Sequence, residues 1–137
     1  VYIMDLAKLN EATNITYSEN KFLSFEKRDT NIYKQQVEYL ITSLAQNSFL
    51  RNSERFASIL QMEMGVDTKL ESRGVFQAGF FVLVGASMPT MLIECGYLSN
   101  KGDEEYLNNT KGQNDVAKAI YKAIRMYKFD FDFENSH

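Results

Sequence analysis

Apolar and polar residues alternate in blocks along this chain, and each block predicts an element. Val1-Tyr2-Ile3-Met4, with Leu6 following, is rich in β-branched and aromatic side chains and reads as a strand over residues 1–6. Residues 7–33 are polar and mixed: Asn10, Asn14, Ser18 and Asn20 interrupt Ile15, Tyr17, Phe22, Leu23 and Phe25. This stretch predicts a long loop with one short helix, and a loop of that length inside a compact domain points to a functional segment. From Tyr33 to Met64 the spacing is helical, with Val37, Leu40, Ile41, Leu44 and Ser48 on a stripe that Phe49, Phe56, Ile59 and Leu60 continue. Asn52-Ser53 is a place where this region could bend into two helices, and Gly65 is a natural stop.

The second half opens with Arg73-Gly-Val-Phe-Gln-Ala-Gly-Phe-Phe-Val-Leu-Val84, which predicts one or two strands, the second apolar on both faces and therefore central. Residues 85–89 form a loop and Thr90-Met-Leu-Ile-Glu94 a further strand. About five residues separate these strands, whereas a parallel crossover needs about a dozen. They are therefore antiparallel neighbours or do not pair directly. The helices between residues 33 and 64 can carry a crossover from the first strand to a parallel one. Ser99-Asn100 followed by Asp103, Glu104 and Glu105 marks a helix start, with the helix running to Leu107. The last helix begins near Gly112, with Val116, Ile120, Ala123, Ile124 and Tyr127 as its buried stripe and Lys118, Lys122 and Arg125 as its wet face. Phe129-Asp-Phe-Asp-Phe-Glu-Asn-Ser-His137 alternates like an edge strand and reads as a frayed tail. The order strand, loop, long helices, strands, helices is α/β with a mixed sheet.

A length of 137 residues suits one compact domain, and 45% hydrophobic with 24% charged residues is a globular composition. Because Val1 already lies in a strand, the expectation is that the sequence starts partway through a fold. A net charge of -3 argues against a non-specific nucleic-acid partner, which would carry a basic face. The longest apolar run, Gly79 to Val84, falls far short of the roughly 20 residues of a membrane span. The single cysteine allows no internal disulfide.

Among residues that could carry chemistry, Glu94 ends an apolar strand and precedes Cys95-Gly96. Ligands of open α/β sheets bind beyond the carboxyl ends of strands, and partial burial there makes a carboxylate a better base. The alternative is a strand-end glutamate that reaches solvent or pairs with Arg73 or a lysine. Arg73, at a strand entrance, could clamp a carboxylate or carbonyl of a substrate, or simply lie on the surface. His137 sits in the tail, away from any rigid frame for zinc, and Cys95, with no histidine partner, reads as an inert buried thiol rather than a ligand or nucleophile. Ser99 and Asn100 are explained by capping or by substrate contact. Phosphate loop, G-x-S-x-G, CxxC and H-E-x-x-H motifs are absent.

The stretch from Arg73 to Leu83, Met88-Pro89, Leu92-Ile93-Glu94, Gly96-Tyr97-Leu98-Ser99-Asn100, then Glu104, Leu107, Gln113 and Ala117-Lys-Ala-Ile120, resembles the C-terminal half of bacterial zinc-dependent N-acetylmuramoyl-L-alanine amidases of the amidase-3 type. Val1-Tyr2-Ile3 is similar to the strand after that family's second zinc histidine, and Ser48 to Ala57 to its Gln/Asn-rich helix. The resemblance implies a three-layer α/β/α sandwich with a mixed, mainly parallel sheet, incomplete in this chain. Residues 1–137 would then be the C-terminal part of one catalytic domain, with residues 7–33 as a variable, regulatory loop.

The same resemblance implies hydrolysis of the amide between N-acetylmuramic acid and L-alanine in peptidoglycan, with Glu94, on the family's conserved glutamate, activating a zinc-bound water. The zinc would be held by two histidines and a glutamate from the half of the domain that precedes this chain, so the 137 residues alone are expected to be inactive. Implied partners are a muropeptide substrate, the N-terminal half of the same domain and an activator protein; the implied location is the bacterial envelope. Some family members carry an inhibitory helix in the place of residues 7–33, whose glutamate caps the zinc until a partner withdraws it; Glu19 or Glu26 would take that role here, against the default of a solvated acid. The alternative function is a non-catalytic peptidoglycan-binding or regulatory relative.

Overall fold

The computed structural model describes residues 1–4, 48–83, 86 and 88–136. Its elements are strand β1 (Tyr2–Met4), helix α1 (Ser48–Asp67), strand β2 (Phe76–Ala78), a single 3₁₀ turn (Phe81–Leu83), helix α2 (Lys101–Leu107) and helix α3 (Thr110–Glu134). The chain is α/β, and it divides into two packed units.

The first unit is drawn from Tyr2–Glu54 and Phe76–Leu92 and contains the sheet. β1 and β2 pair in parallel, with Tyr2 opposite Phe76 and Met4 opposite Ala78. On its other edge Tyr2 exchanges both backbone hydrogen bonds with Leu92, at 2.9 and 2.8 Å, in an antiparallel bridge. β1 therefore lies between two partners of opposite sense, the mixed pairing expected from the sequence, and α1 lies within the crossover from β1 to the parallel β2. Ile3 and Phe80 are fully buried and Ala78 nearly so. Burying an isoleucine or phenylalanine stabilises by about 1.5–3 kcal/mol each, and the Tyr2 ring meets Phe80 edge-on at 5.0 Å and Phe76 at 5.5 Å.

Two strand expectations are corrected here. The described part of the expected central strand, residues 79–83, is not a strand: Phe80 is fully buried, residues 81–83 coil into the 3₁₀ turn, and Val82 is 58% exposed. Among the described residues, Thr90 to Glu94 forms only the Leu92 bridge; Pro89 supplies no amide, and Thr90 gives its own to the Ser53 hydroxyl at 2.9 Å. That bond also explains Ser53, which is buried within a continuous helix rather than marking a bend.

The second unit is drawn from Val1, Arg55–Val75 and Ile93–His137. Here residues of α1 and α3 pair antiparallel: Arg55 binds Asp130 and Glu134, Phe56 stacks on Tyr127 at 4.8 Å, and Asp67 takes Lys118 at 3.1 Å and Lys122 at 2.8 Å. The buried faces are turned by about one residue from the expected stripes. Ala57, Leu60 and Met64 are buried on α1, and Gly112, Val116, Ala119 and Ala123 on α3. Small side chains take the tightest positions, leaving Ile124 exposed and Phe56 on the flank. Lys118 and Arg125 are exposed as expected and Lys122 is half-buried, but the two lysines also pair with α1 acids. α1 runs past Gly65 to Asp67 and ends where the Thr68 hydroxyl donates to the Met64 carbonyl at 2.7 Å. The expected frayed tail is helical to Glu134, because Asp130 and Glu134, four residues apart on one face, both reach Arg55.

The pairing at Asp67 carries a pH prediction. Hydrogen bonds from Lys122 and Lys118 hold the Asp67 carboxyl below its usual 3.8. A depressed folded-state value means the unfolded chain takes up the proton first, so the contribution is complete above about pH 3.8 and disappears as the pH falls through the folded value. Asp67→Asn is therefore expected to lower the melting temperature at neutral pH, with the gap to the wild type closing in acid; calorimetry across that range checks it.

Candidate active site

Glu94 lies two residues after the Leu92 bridge, where regular pairing has ended, and it is half-buried. Among the described residues no lysine or arginine forms an ion pair with it; the carboxylate partner of Arg73 is Glu71, at 3.7 Å. Of the structural explanations considered for Glu94, pairing with Arg73 is therefore not the one realised.

The chain then turns sharply. Gly96 has φ +138°, a conformation that residues with a Cβ rarely adopt. Beyond it, Tyr97 is held at three points. Its amide donates to Asp103 Oδ2 at 2.9 Å, its carbonyl accepts from the Asn100 amide at 2.9 Å, and its ring lies 4.2 Å beneath the Arg73 guanidinium. Such a stack contributes about 0.5–1 kcal/mol at an exposed site. The exposed Arg73–Glu71 pair adds little. Arg73 thus has a local role in packing on Tyr97, while a guanidinium, with five donors, retains some for a ligand.

Asn100 caps α2, its side chain accepting from the Gly102 amide at 2.9 Å and the Asp103 amide at 3.2 Å. Capping therefore accounts for Asn100, and Ser99 is exposed beside it. Burial pushes the half-buried Cys95 thiol above its usual 9.0, so it stays protonated at neutral pH, which fits the inert reading. Asp103 was legible in the sequence only as a first-turn acid; its reach back to Tyr97 is what the structure adds.

Glu19, Glu26 and His137 lie outside the described residues. Among the described residues no three of His, Cys, Asp or Glu come together to hold a metal, so these residues do not by themselves form a zinc site. No helix among them is long and apolar enough to cross a membrane.

The family model for N-acetylmuramoyl-L-alanine amidase matches residues 14–126, a span that includes Arg73, Glu94, Tyr97 and Asp103. A putative N-acetylmuramoyl-L-alanine amidase of Buchnera aphidicola is 25% identical over 132 residues, covering 93% of this chain and 56% of that protein. The N-acetylmuramoyl-L-alanine amidase AmiC of Escherichia coli is 30% identical over 94 residues, 69% of this chain and 22% of AmiC. A probable cell wall amidase, LytH, of Staphylococcus saprophyticus is 30% identical over 79 residues, 58% of this chain and 27% of LytH. The chain thus spans little more than half the length of the first of these curated relatives and less of the others. No solved structure matches it. With more than half of its residues matched by the family model, the chain belongs to the N-acetylmuramoyl-L-alanine amidase family.

Proposed function

We propose that the protein containing this chain hydrolyses the amide between N-acetylmuramic acid and L-alanine in peptidoglycan, with Glu94 as general base. The observation that carries this reading is the coincidence of the family match with a half-buried carboxylate, just past the Leu92 bridge, that no arginine or lysine among the described residues neutralises. A carboxylate so placed can accept a proton from water as the water oxygen attacks the amide carbon, and return it to the departing nitrogen as the C–N bond breaks. The products are the lactyl carboxylate of the sugar and a free L-alanine amino group. Arg73, stacked on Tyr97, is proposed to orient a carbonyl or carboxylate of the stem peptide with its remaining donors.

Zinc is part of the proposal through the family resemblance. Its ligands would come from outside the described residues, where it would polarise the amide carbonyl and acidify water. An envelope location, an activator protein and an inhibitory role for Glu19 or Glu26 are proposed on the same footing.

The test is product analysis. The full-length protein, incubated with zinc and a purified muropeptide, should release peptides beginning with L-alanine, and Glu94→Gln should suppress that release. Absence of cleavage by the wild type would favour the non-catalytic, peptidoglycan-binding reading instead.

A further inference from the structure

The segment after Glu94 is tied down in an unusual way. At a helix start with a polar cap, an acid three residues on ordinarily reaches back to the amide of the cap residue. Here the cap is Asn100 and the acid is Asp103, but the Asn100 amide is already bonded to the Tyr97 carbonyl at 2.9 Å. Asp103 instead passes over the cap and takes the Tyr97 amide, also at 2.9 Å. Its carboxylate lies against Gly96, where a Cβ would stand 3.2 Å from Oδ2. Both backbone groups of Tyr97 are thus fixed to the start of α2, and Arg73 fixes its ring. Only Cys95 and Gly96 separate this anchored residue from Glu94.

We propose that Asp103 is a positioning residue for Glu94: by holding the Tyr97 amide across Gly96, it sets the backbone from which the base projects. The inference rests on the reading of Glu94 as base. Asp103 itself touches no reacting atom. Loss of its acceptor frees the Gly96–Tyr97 peptide to rotate and lets Glu94 drift from its working position, and small displacements of a catalytic group are costly in rate.

The experiment compares Asp103→Ala with Asp103→Asn in the full-length protein, assayed on a muropeptide. Both variants remove the charge from the first turn of α2, so any helix-dipole effect is common to them. Only alanine removes the acceptor. Asp103→Ala is expected to lower kcat by about 10- to 100-fold with KM little changed, and Asp103→Asn to restore most of it. In the Glu94→Gln background, Asp103→Ala should cost almost nothing further, because there is no base left to position.

Equal loss in the alanine and asparagine variants would overturn the proposal, since charge rather than the acceptor would then matter. So would full kcat in the alanine variant, or the same fold-loss in both backgrounds. If alanine prevents folding, Asp103→Ser, too short to reach Tyr97, takes its place under the same criteria. Activity retained by Glu94→Gln alone would overturn the base assignment, an outcome read separately from all of these.

Discussion

Glu94→Gln in the full-length protein is expected to reduce amide hydrolysis by about 10² to 10⁴, the range for removing a general base. Glutamine preserves the shape and hydrogen-bonding reach of the side chain but cannot take a proton from water. No arginine or lysine among the described residues pairs with Glu94, and its charge interaction with the Val1 ammonium is not a close ion pair, so stability should move by no more than about 0.5 kcal/mol. The variant should therefore melt with the wild type while its turnover collapses. Single-turnover release of L-alanine-terminated peptide, set beside a melting curve, separates the two. Near-normal turnover would place the base elsewhere in the domain.

Gly112→Ala should be the most damaging of the conservative substitutions in the helices. A Cβ at this position would stand 2.0 Å from the Tyr106 carbonyl oxygen and 2.9 Å from its carbon. Both are backbone atoms, and the same oxygen accepts the Asn109 amide at 3.2 Å in the turn joining α2 to α3. Relief requires moving that turn, with a cost of about 1–3 kcal/mol or more. Gly65→Ala provides the contrast. Gly65 is also helical, but a Cβ there meets nothing within 4 Å, so alanine should stabilise by about 0.5–1 kcal/mol through helix propensity. Denaturant titration of the two variants should give shifts of opposite sign.

Much of the fold could be read in the sequence where local and long-range preferences agree. The Asn100 cap with acids behind it gave α2, and the helical spacing of apolar residues ahead of Gly65 gave α1. The crossover between parallel strands followed from the length of chain between them. The failures occurred where tertiary partners decide. Phe129 to Glu134 has the alternation of a strand, yet Arg55 on α1 collects Asp130 and Glu134, and the helix is carried through. Gly79 to Val84 has the composition of a buried strand, but composition cannot distinguish such a strand from a buried Phe80 followed by a 3₁₀ turn.

In the candidate site, Glu94 could be singled out because its chemistry and its place after an apolar run coincide. Asp103 could not, because its partner is an amide, and every residue but proline offers one. The cap-plus-acid signature located Asp103 at a helix start without revealing that the Asn100 amide was already taken.

The parallel pairing of β1 with β2 has a consequence for how the chain acquires its structure. At the edge of that pairing the Val1 nitrogen meets the Gly74 carbonyl across 73 residues of sequence. Bringing such distant segments together costs about 4 kcal/mol in loop-closure entropy before any contact offsets it. Of the described pairings, that of β1 with Phe76 to Ala78 forms only after the intervening residues have been made, and the Leu92 bridge later still. The burial of Ile3 and the packing of Tyr2 on Phe80 thus depend on contacts of long sequence separation, the kind that makes folding slow.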